Sequence, residues 1–167
     1  ALSGGSWLEG AGVVHAENEV LRWLAGEFGL PAGAGGVFVQ GGTIGNLSAL
    51  VAARTAQKEK LGETRPGRWV IVCSAEAHSS VASAARLLDM DVVTVPVDDQ
   101  GHLTGGALEH ELAADERICA VVVSGGTTNA GIVDDIASVV ETAHRPRGWA
   151  QRDGGLGGAG PPAPGGG

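Results

Sequence analysis

Residues 41–46 (GGTIGN) lie between an apolar run and an expected helix, and their composition suits anion binding. Glycines let an anion approach the backbone N–H groups at a helix N-terminus, and Thr43 adds a hydroxyl donor. A tight turn with Thr43 as the helix cap explains the same residues equally well. The segment lacks the Gly-Lys-Ser/Thr of a P-loop and the spacing of the dinucleotide-binding fingerprint. A phosphate loop and a capped turn therefore both stay open.

Residues 74–80 (SAEAHSS) form a second polar segment after an apolar run. His78 has the chemistry to stack on a flat ring or to transfer protons near neutral pH. Alternatively, one of the two serines after it caps the next helix, and His78 is a partly exposed loop residue. A zinc site formed by Cys73, Glu76 and His78 is a further alternative, but the paired-ligand spacing typical of zinc sites is missing.

Residues 126–135 (GTTNAGIVDD) form a third segment, again after an apolar run. Thr127 and Thr128 offer two hydroxyl groups to a ligand. We expect Asp134 or Asp135 to cap the helix that follows.

Asp153 stands in a fourth segment and is followed by glycines. A carboxylate at the end of a central strand can pair with the protonated ring nitrogen of a cofactor. The alternative is a solvated aspartate in a loop.

The elements that must position these segments are strands and helices in alternation. Their pattern predicts an α/β domain whose mainly parallel sheet is covered by helices on both faces. In such folds, ligands bind beyond the carboxyl ends of the strands. The expected strands are Val37–Gln40, Arg68–Ser74, Asp91–Val97 and Cys119–Ser124, and the expected helices are Val13–Phe28, Asn46–Lys60, His78–Leu88, Gly105–Ala114 and Asp135–His144.

Composition excludes several classes of protein. Of the 167 residues, 43% are hydrophobic and 18% charged, which argues against a disordered chain. The net charge of -8 and scattered basic residues argue against nucleic-acid binding. No apolar run reaches the roughly 20 residues of a membrane span, and no signal-peptide pattern is present, so we expect a cytoplasmic protein. Cys73 and Cys119 are expected to be buried, reduced thiols.

Three segments, in this order, resemble successive motifs of the group II pyridoxal-phosphate (PLP)-dependent decarboxylases: GVFVQGGTIGNLSALVAAR, EAHSSVASAARLL and AVVVSGGTTNAGIVDDI. The family includes aromatic amino-acid and glutamate decarboxylases, and the match is nearest to bacterial members. The resemblance, from about Trp7 to His144, implies part of the large domain of PLP fold type I, the aspartate-aminotransferase-like fold. It also implies decarboxylation of an L-amino acid to an amine and CO2, by a homodimer.

The resemblance assigns cofactor-binding roles to particular residues. Gly42 and Thr43 match the loop that holds the PLP phosphate. His78 matches the histidine that stacks on the pyridine ring. Thr127 and Thr128 match a threonine pair near the oxygen and phosphate side of the ring.

Counting onward without gaps places Asp153 on the aspartate that pairs with the ring nitrogen. Here the sequence departs from the family, because Gln151 and Arg152 replace the expected His and Val. We expect Arg152 to compete for the Asp153 carboxylate. Residues 1–145 are thus interpreted as a partial PLP-binding domain, and 146–167 as a diverged or disordered Gly/Pro-rich tail.

In this family a lysine forms the Schiff base with PLP, and no residue of this sequence matches that lysine. Lys58 and Lys60 are the only lysines of the sequence, and both stand at the polar end of a predicted helix. A catalytic lysine requires a desolvated or electropositive pocket. We therefore interpret the chain as an inactive decarboxylase fragment. A non-catalytic PLP- or phosphate-binding module remains an alternative, as does another fold-type I enzyme, such as a carbon–carbon lyase or an aminotransferase.

Overall fold

The computed structural model describes residues 10–61, 67–144 and 149–155. These residues fall into two compact units, with the boundary between Val39 and Gln40. Within the described ranges, no helix is both long enough and apolar enough to cross a membrane.

The first unit contains helix α1 (Ala11–Glu27), which confirms the helix predicted over Val13–Phe28. Its end is a Schellman motif, in which Leu30 N donates to Ala25 O at 2.9 Å and Gly29 N donates to Gly26 O at 3.2 Å. Gly29 has a φ of 62°, a left-handed conformation in which a side chain would be strained. The glycine therefore ends the helix.

The prediction of a strand over Val37–Gln40 is wrong, because these residues form no strand. Phe38 N donates to Glu17 Oε1 at 2.7 Å, so one of the N–H groups that a strand would use is bound to a side chain. Val37 and Phe38 are 64% and 57% exposed. Apolar composition predicted a buried strand, but a strand also requires a neighbouring strand to accept its hydrogen bonds.

The second unit contains a four-stranded sheet in which every pairing is parallel, in the order β2-β1-β3-β4. The prediction of an α/β fold with a parallel sheet is confirmed. The elements of this unit are α2 (Gly42–Leu61), β1 (Val70–Ser74), α3 (Ser79–Leu87), β2 (Asp91–Val95), α4 (Gly105–Ala114), β3 (Ile118–Ser124), α5 (Ile136–His144) and β4 (Trp149–Asp153).

Both faces of the sheet are covered because successive side chains of a strand point to opposite sides. Ile71 and Val122 belong to a buried cluster that includes residues of α2 and α3. Val72 and Val121 belong to a second cluster, with residues of α4 and α5. This two-sided burial explains why β1 and β3 are apolar at nearly every position.

Helix α2 begins four residues before the predicted start at Asn46. Gly41, with a φ of 95°, makes the turn that leads into the helix. Gly42 and Thr43 consequently lie in the first turn of α2, where backbone N–H groups have no acceptor within the helix.

Strand β4 lies within the segment that we expected to be diverged or disordered. It pairs with β3 from Ala120↔Trp149 to Ser124↔Asp153. Arg152 is exposed, so its charge stays hydrated. The expected boundary between residues 145 and 146 and the Gly/Pro-rich residues 156–167 lie outside the described residues.

Gly105 allows helices α4 and α5 to pack closely. A Cβ there would lie 2.4 Å from the backbone oxygen of Ser138 and 2.6 Å from Thr142 Oγ1. We therefore expect Gly105→Ala to lower the free energy of unfolding by about 1–3 kcal/mol, measured by urea denaturation. The matched control is Gly106→Ala, because a Cβ there meets nothing within 4 Å. The control should be neutral or stabilising by up to about 1 kcal/mol, and equal losses in both variants would contradict this account.

Candidate functional site

A cavity of about 290 Å³ opens beyond the carboxyl ends of β1, β3 and β4. In the sheet, β2 lies on one side of β1 and β3 on the other, so the strand order reverses direction at β1. The cavity therefore lies at a topological switch point. All six residues that the sequence assigned to cofactor binding line it. The lining residues are Gly42, Thr43, Asn46, His78, Ser124, Gly126, Thr127, Thr128, Asp153 and Gly155.

One wall of the cavity is the N-terminus of α2, formed by Gly42 and Thr43. The free N–H groups and the helix dipole favour an anion here. A Cβ at Gly42 would meet no atom within 4 Å, so the space beside this turn is open. The arrangement suits a phosphate group.

His78 stands at the N-cap of α3 and contributes its imidazole to the cap. Its Nδ1 accepts a hydrogen bond from Ser80 N at 3.1 Å and lies 2.8 Å from Ser80 Oγ. Because Nδ1 is an acceptor, the neutral ring carries its proton on Nε2. The interpretation of a serine as the helix cap is thus wrong, since the histidine side chain occupies that role.

Asp153 ends β4 and brings a half-buried carboxylate into the cavity. Its Oδ2 accepts a hydrogen bond from Asn46 Nδ2 at 2.8 Å, and its Oδ1 accepts one from Gly155 N at 3.1 Å. Each oxygen retains a lone pair for a further donor. The carboxylate is therefore held in place yet still able to bind a ligand N–H.

The expectation that Arg152 competes for the Asp153 carboxylate is wrong. The two residues are neighbours on β4, so their side chains point to opposite faces of the sheet. They form no ion pair with each other, and Arg152 Nε lies 3.1 Å from the position that a Cβ on Gly125 would take. Strand geometry separates the charges that sequence proximity suggested would meet.

The two threonines after β3 differ in their surroundings. Thr127 is 4% exposed, and its Oγ1 accepts a hydrogen bond from Ile132 N at 3.1 Å. Thr127 also holds the loop through its backbone, which bonds to Ile132 and Gly131. Thr128 is exposed at the cavity. Thr127 thus shapes the loop, whereas Thr128 is open to solvent and to the cavity.

Asp134 has a role that the sequence did not reveal. It is buried; its Oδ1 accepts from Leu103 N at 2.9 Å and its Oδ2 from Ser124 N at 2.7 Å. The expected capping of α5 is made by Asp135, whose Oδ1 accepts from Ser138 N at 3.2 Å. Hydrogen bonding by the side chain of Ser138, and then by its backbone N–H, lowers the pKa of the Asp135 carboxyl. Asp134 instead ties the end of β3, and so the cavity wall, to the loop before α4.

Asn46 is another residue of this site whose role the sequence did not reveal. It is 5% exposed and lies on the face of α2 that buries Leu50 and Ala53. A polar residue aligned with a buried apolar stripe, at intervals of three and four residues, is the signal that identifies such a position.

The proposed zinc ligands do not form a metal site. Among the described residues, no three His, Cys, Asp or Glu side chains are grouped closely enough to hold a metal ion. Cys73 lies in the core cluster with α2 and α3. Both cysteines are buried, which confirms the predicted burial.

Cys73 is expected to be unreactive in the folded protein. Burial, with a smaller contribution from the charge of Asp134, raises the pKa of its thiol to about 11. At about pH 8, only about one thiol in a thousand is then ionised, and the thiolate is the reactive form. Ellman's reagent should label the native protein far more slowly than the urea-unfolded chain. Equal rates in the two states would contradict the buried placement.

Lys58 and Lys60 lie in the last turn of α2, and both are exposed. Lys58 stands sixteen residues after Gly42. At about 1.5 Å per residue, it is about 24 Å along the helix axis from the cavity wall. Neither lysine lines the cavity.

Residues 6–160 match the pyridoxal-dependent decarboxylase conserved domain. The chain is 29% identical over 159 residues to the aromatic-L-amino-acid decarboxylase of Bacillus atrophaeus, covering 91% of this chain and 32% of that protein. It is 32% identical over 160 residues to the L-2,4-diaminobutyrate decarboxylase of Rhizobium meliloti (strain 1021), covering 92% of this chain and 32% of that protein. The chain therefore spans about a third of the length of the curated relatives it matches.

Solved structures show the same fold. The glutamate decarboxylase domain of a diaminobutyrate-pyruvate transaminase and L-2,4-diaminobutyrate decarboxylase from Vibrio parahaemolyticus superposes with a TM-score of 0.86 at 28% identity, covering 93% of this chain and 38% of that chain. Oryza sativa TDC, solved with PLP and tryptamine, gives a TM-score of 0.80 at 25% identity, covering 90% of this chain and 37% of that chain.

Proposed function

The chain belongs to the pyridoxal-dependent decarboxylase family, and we propose that it supplies part of the PLP site of an enzyme that decarboxylates an L-amino acid to an amine and CO2. The observation that carries this proposal is the convergence of Thr43, His78 and Asp153, from three separate elements, on one cavity. Since the chain spans about a third of its relatives, the activity of the whole protein is proposed from this site.

The chemistry of the cavity fits PLP, the cofactor of this family. A phosphate requires hydrogen-bond donors, which the first turn of α2 provides at Gly42 and Thr43. A protonated pyridine nitrogen requires an acceptor, and Asp153 retains lone pairs on both carboxylate oxygens. A flat ring requires a flat surface, which the His78 imidazole provides.

When bound, PLP supplies an electron sink for the electron pair that remains after CO2 leaves. The proposed task of Asp153 is to keep the ring nitrogen protonated through a charge-assisted hydrogen bond. His78, held by Ser80, would fix the plane of the ring. Thr43 would anchor the phosphate, and Thr128 would donate its hydroxyl beside the ring.

We predict that the chain alone forms no covalent adduct with PLP. Lys58 and Lys60 are exposed and far from the cavity, so neither side chain can reach a ring bound there. The test is borohydride reduction of the chain with PLP, followed by peptide mass spectrometry. Substoichiometric labelling of both lysines is expected from free PLP in solution. A stoichiometric adduct at one of them would overturn the prediction.

The exposure of both lysines also favours a second candidate, a non-catalytic module that binds PLP or phosphate. Two measurements separate the candidates: PLP affinity of this chain, and release of CO2 from L-amino acids by the product of the complete coding sequence. CO2 release supports the decarboxylase. PLP binding by a complete product without turnover supports the module.

Another fold-type I enzyme is the third candidate. The complete product would then transfer amino groups or cleave carbon–carbon bonds without releasing CO2. Aromatic amino acids, glutamate and 2,4-diaminobutyrate are the substrates to test first, because the names of the similar proteins include them.

The proposal extends to partners and location. We propose a small amino acid as the substrate and a homodimer as the complete form, as the sequence resemblance implies. A cytoplasmic location is also proposed, without nucleic-acid or membrane partners, in line with the net charge of -8 and the scattered basic residues.

A further inference from the structure

A chain of hydrogen bonds through Asn46 links Asp153 and His78, two residues that line the cavity. Its Nδ2 donates to Asp153 Oδ2 at 2.8 Å and to Ser80 Oγ at 2.9 Å. Ser80 Oγ in turn lies 2.8 Å from His78 Nδ1. We propose that Asn46 is a positioning residue that sets the Asp153 carboxylate against the cofactor ring nitrogen, and that Ser80 orients His78 from the same network. This inference rests on the proposed function.

The directions of these hydrogen bonds follow from donor chemistry. A carboxylate accepts only, so the Asn46 atom beside Asp153 must be the amide nitrogen. Its second N–H points to Ser80 Oγ, which leaves the Ser80 hydroxyl hydrogen free to point to His78 Nδ1. That nitrogen also accepts from Ser80 N, so it carries no hydrogen, and the two Ser80 donors share its single lone pair. Every donor in the chain from Asp153 to His78 therefore has an acceptor.

The network joins elements that are distant along the sequence. Asn46 is on α2, Ser80 on α3 and Asp153 at the end of β4, separated from Asn46 by 34 and 107 residues. Asn46 and Ser80 are 5% and 3% exposed, so water competes little for their bonds. Without the amide, Asp153 Oδ2 loses its partner, and among the described residues only the bond from Gly155 N still restrains the carboxylate.

Displacement of the Asp153 carboxylate and displacement of the His78 imidazole should affect ligand binding in different ways. Misplacing Asp153 weakens only ligands that carry a ring N–H. Misplacing His78 weakens every flat ring alike, because stacking does not depend on the ring nitrogen. The ratio of two affinities thus reports the carboxylate, whereas a parallel loss of both reports the imidazole.

The test uses two probes that lack the reactive aldehyde: 4-deoxypyridoxine 5′-phosphate and its analogue with C–H in place of the ring nitrogen. Their dissociation constants are measured by calorimetry on the full chain. In Asn46→Ala, we expect the preference for the nitrogen-containing probe to fall about fivefold or more, the size of one lost hydrogen bond. In Ser80→Ala, both affinities should fall by a similar factor while their ratio is kept.

The matched control removes an exposed hydroxyl group from the same helix as Asn46. Ser48→Ala lies on α2, where its side chain is exposed, and should change neither affinity. If Asn46→Ala fails to fold, Asn46→Leu keeps the branched shape of the side chain but has no N–H to donate. Asp153 Oδ2 again loses its partner, so the same preference should fall.

The outcomes separate this inference from the proposed function. A preference that falls in the Asn46 variants but not in Ser48→Ala supports the positioning role. An unchanged preference in folded Asn46 variants overturns the role and leaves the cofactor site standing. Failure of the unaltered chain to bind either probe overturns both this inference and the proposed site.

Discussion

Replacing Asp134 with alanine is expected to lower the free energy of unfolding by about 2–6 kcal/mol, since each buried donor left unpaired costs about 1–3 kcal/mol. The donors are the N–H groups of Leu103 and Ser124, which the two carboxylate oxygens accept at 2.9 and 2.7 Å. A domain has only about 5–15 kcal/mol of stability in total, so the change should threaten folding at ambient temperature. Urea denaturation followed by circular dichroism measures it.

The control for this prediction is the next residue along the chain. Asp135 is exposed and caps α5 through Ser138 N, so Asp135→Ala should cost about 1 kcal/mol. A difference between the two variants is the expected result, although both remove one carboxylate. If Asp134→Ala proves no more destabilising than Asp135→Ala, the proposal that Asp134 holds the end of β3 to the loop before α4 is wrong.

Replacing Asp153 with alanine is expected to weaken binding of 4-deoxypyridoxine 5′-phosphate by about 10- to 100-fold. A hydrogen bond to a charged group contributes about 1.5–3 kcal/mol, and about 1.4 kcal/mol corresponds to a factor of ten. The carboxylate lines the cavity with a free lone pair on each oxygen. Titration calorimetry on the folded variant measures the loss, and the analogue without the ring nitrogen should lose far less.

Arg152→Ala is the matched control for Asp153, because it changes the adjacent residue of the same strand. The Arg152 side chain is exposed and points to the other face of β4, so its removal should leave both probe affinities unchanged. An affinity gain in Arg152→Ala would revive the idea that the arginine competes for the carboxylate. An equal loss in both variants would show that the integrity of β4, and not the carboxylate, is what the ligand requires.

The order of the elements in the second unit was predictable because their apolar patterns are strong. Strands β1 and β3 are buried on both faces and are apolar almost throughout, and α4 matches its predicted bounds. The errors lie where local pattern and tertiary contact disagree. Val37–Gln40 has the composition of a strand but forms none, and β4 pairs with β3 although it carries Gln151 and Arg152.

The sequence predicts the types of the site residues and their order along the chain, but not the hydrogen bonds between them. The sequence resemblance assigns Gly42, Thr43, His78 and Asp153 to the site, and all four line the cavity. Their identification depended on resemblance to a family, since each segment alone had an equally simple structural explanation.

By itself, the amino-acid sequence determined the α/β class, the main helices and strands, and which loop residues have the chemistry to bind a cofactor. Those properties depend on residue type and on spacing within a few positions. Only the tertiary structure decided that Asn46 links Asp153 to His78, that Asp134 holds the wall of the cavity, and that Arg152 turns away from Asp153. These relations depend on the direction of side chains brought together from distant parts of the chain, and short sequence patterns carry no information about that direction.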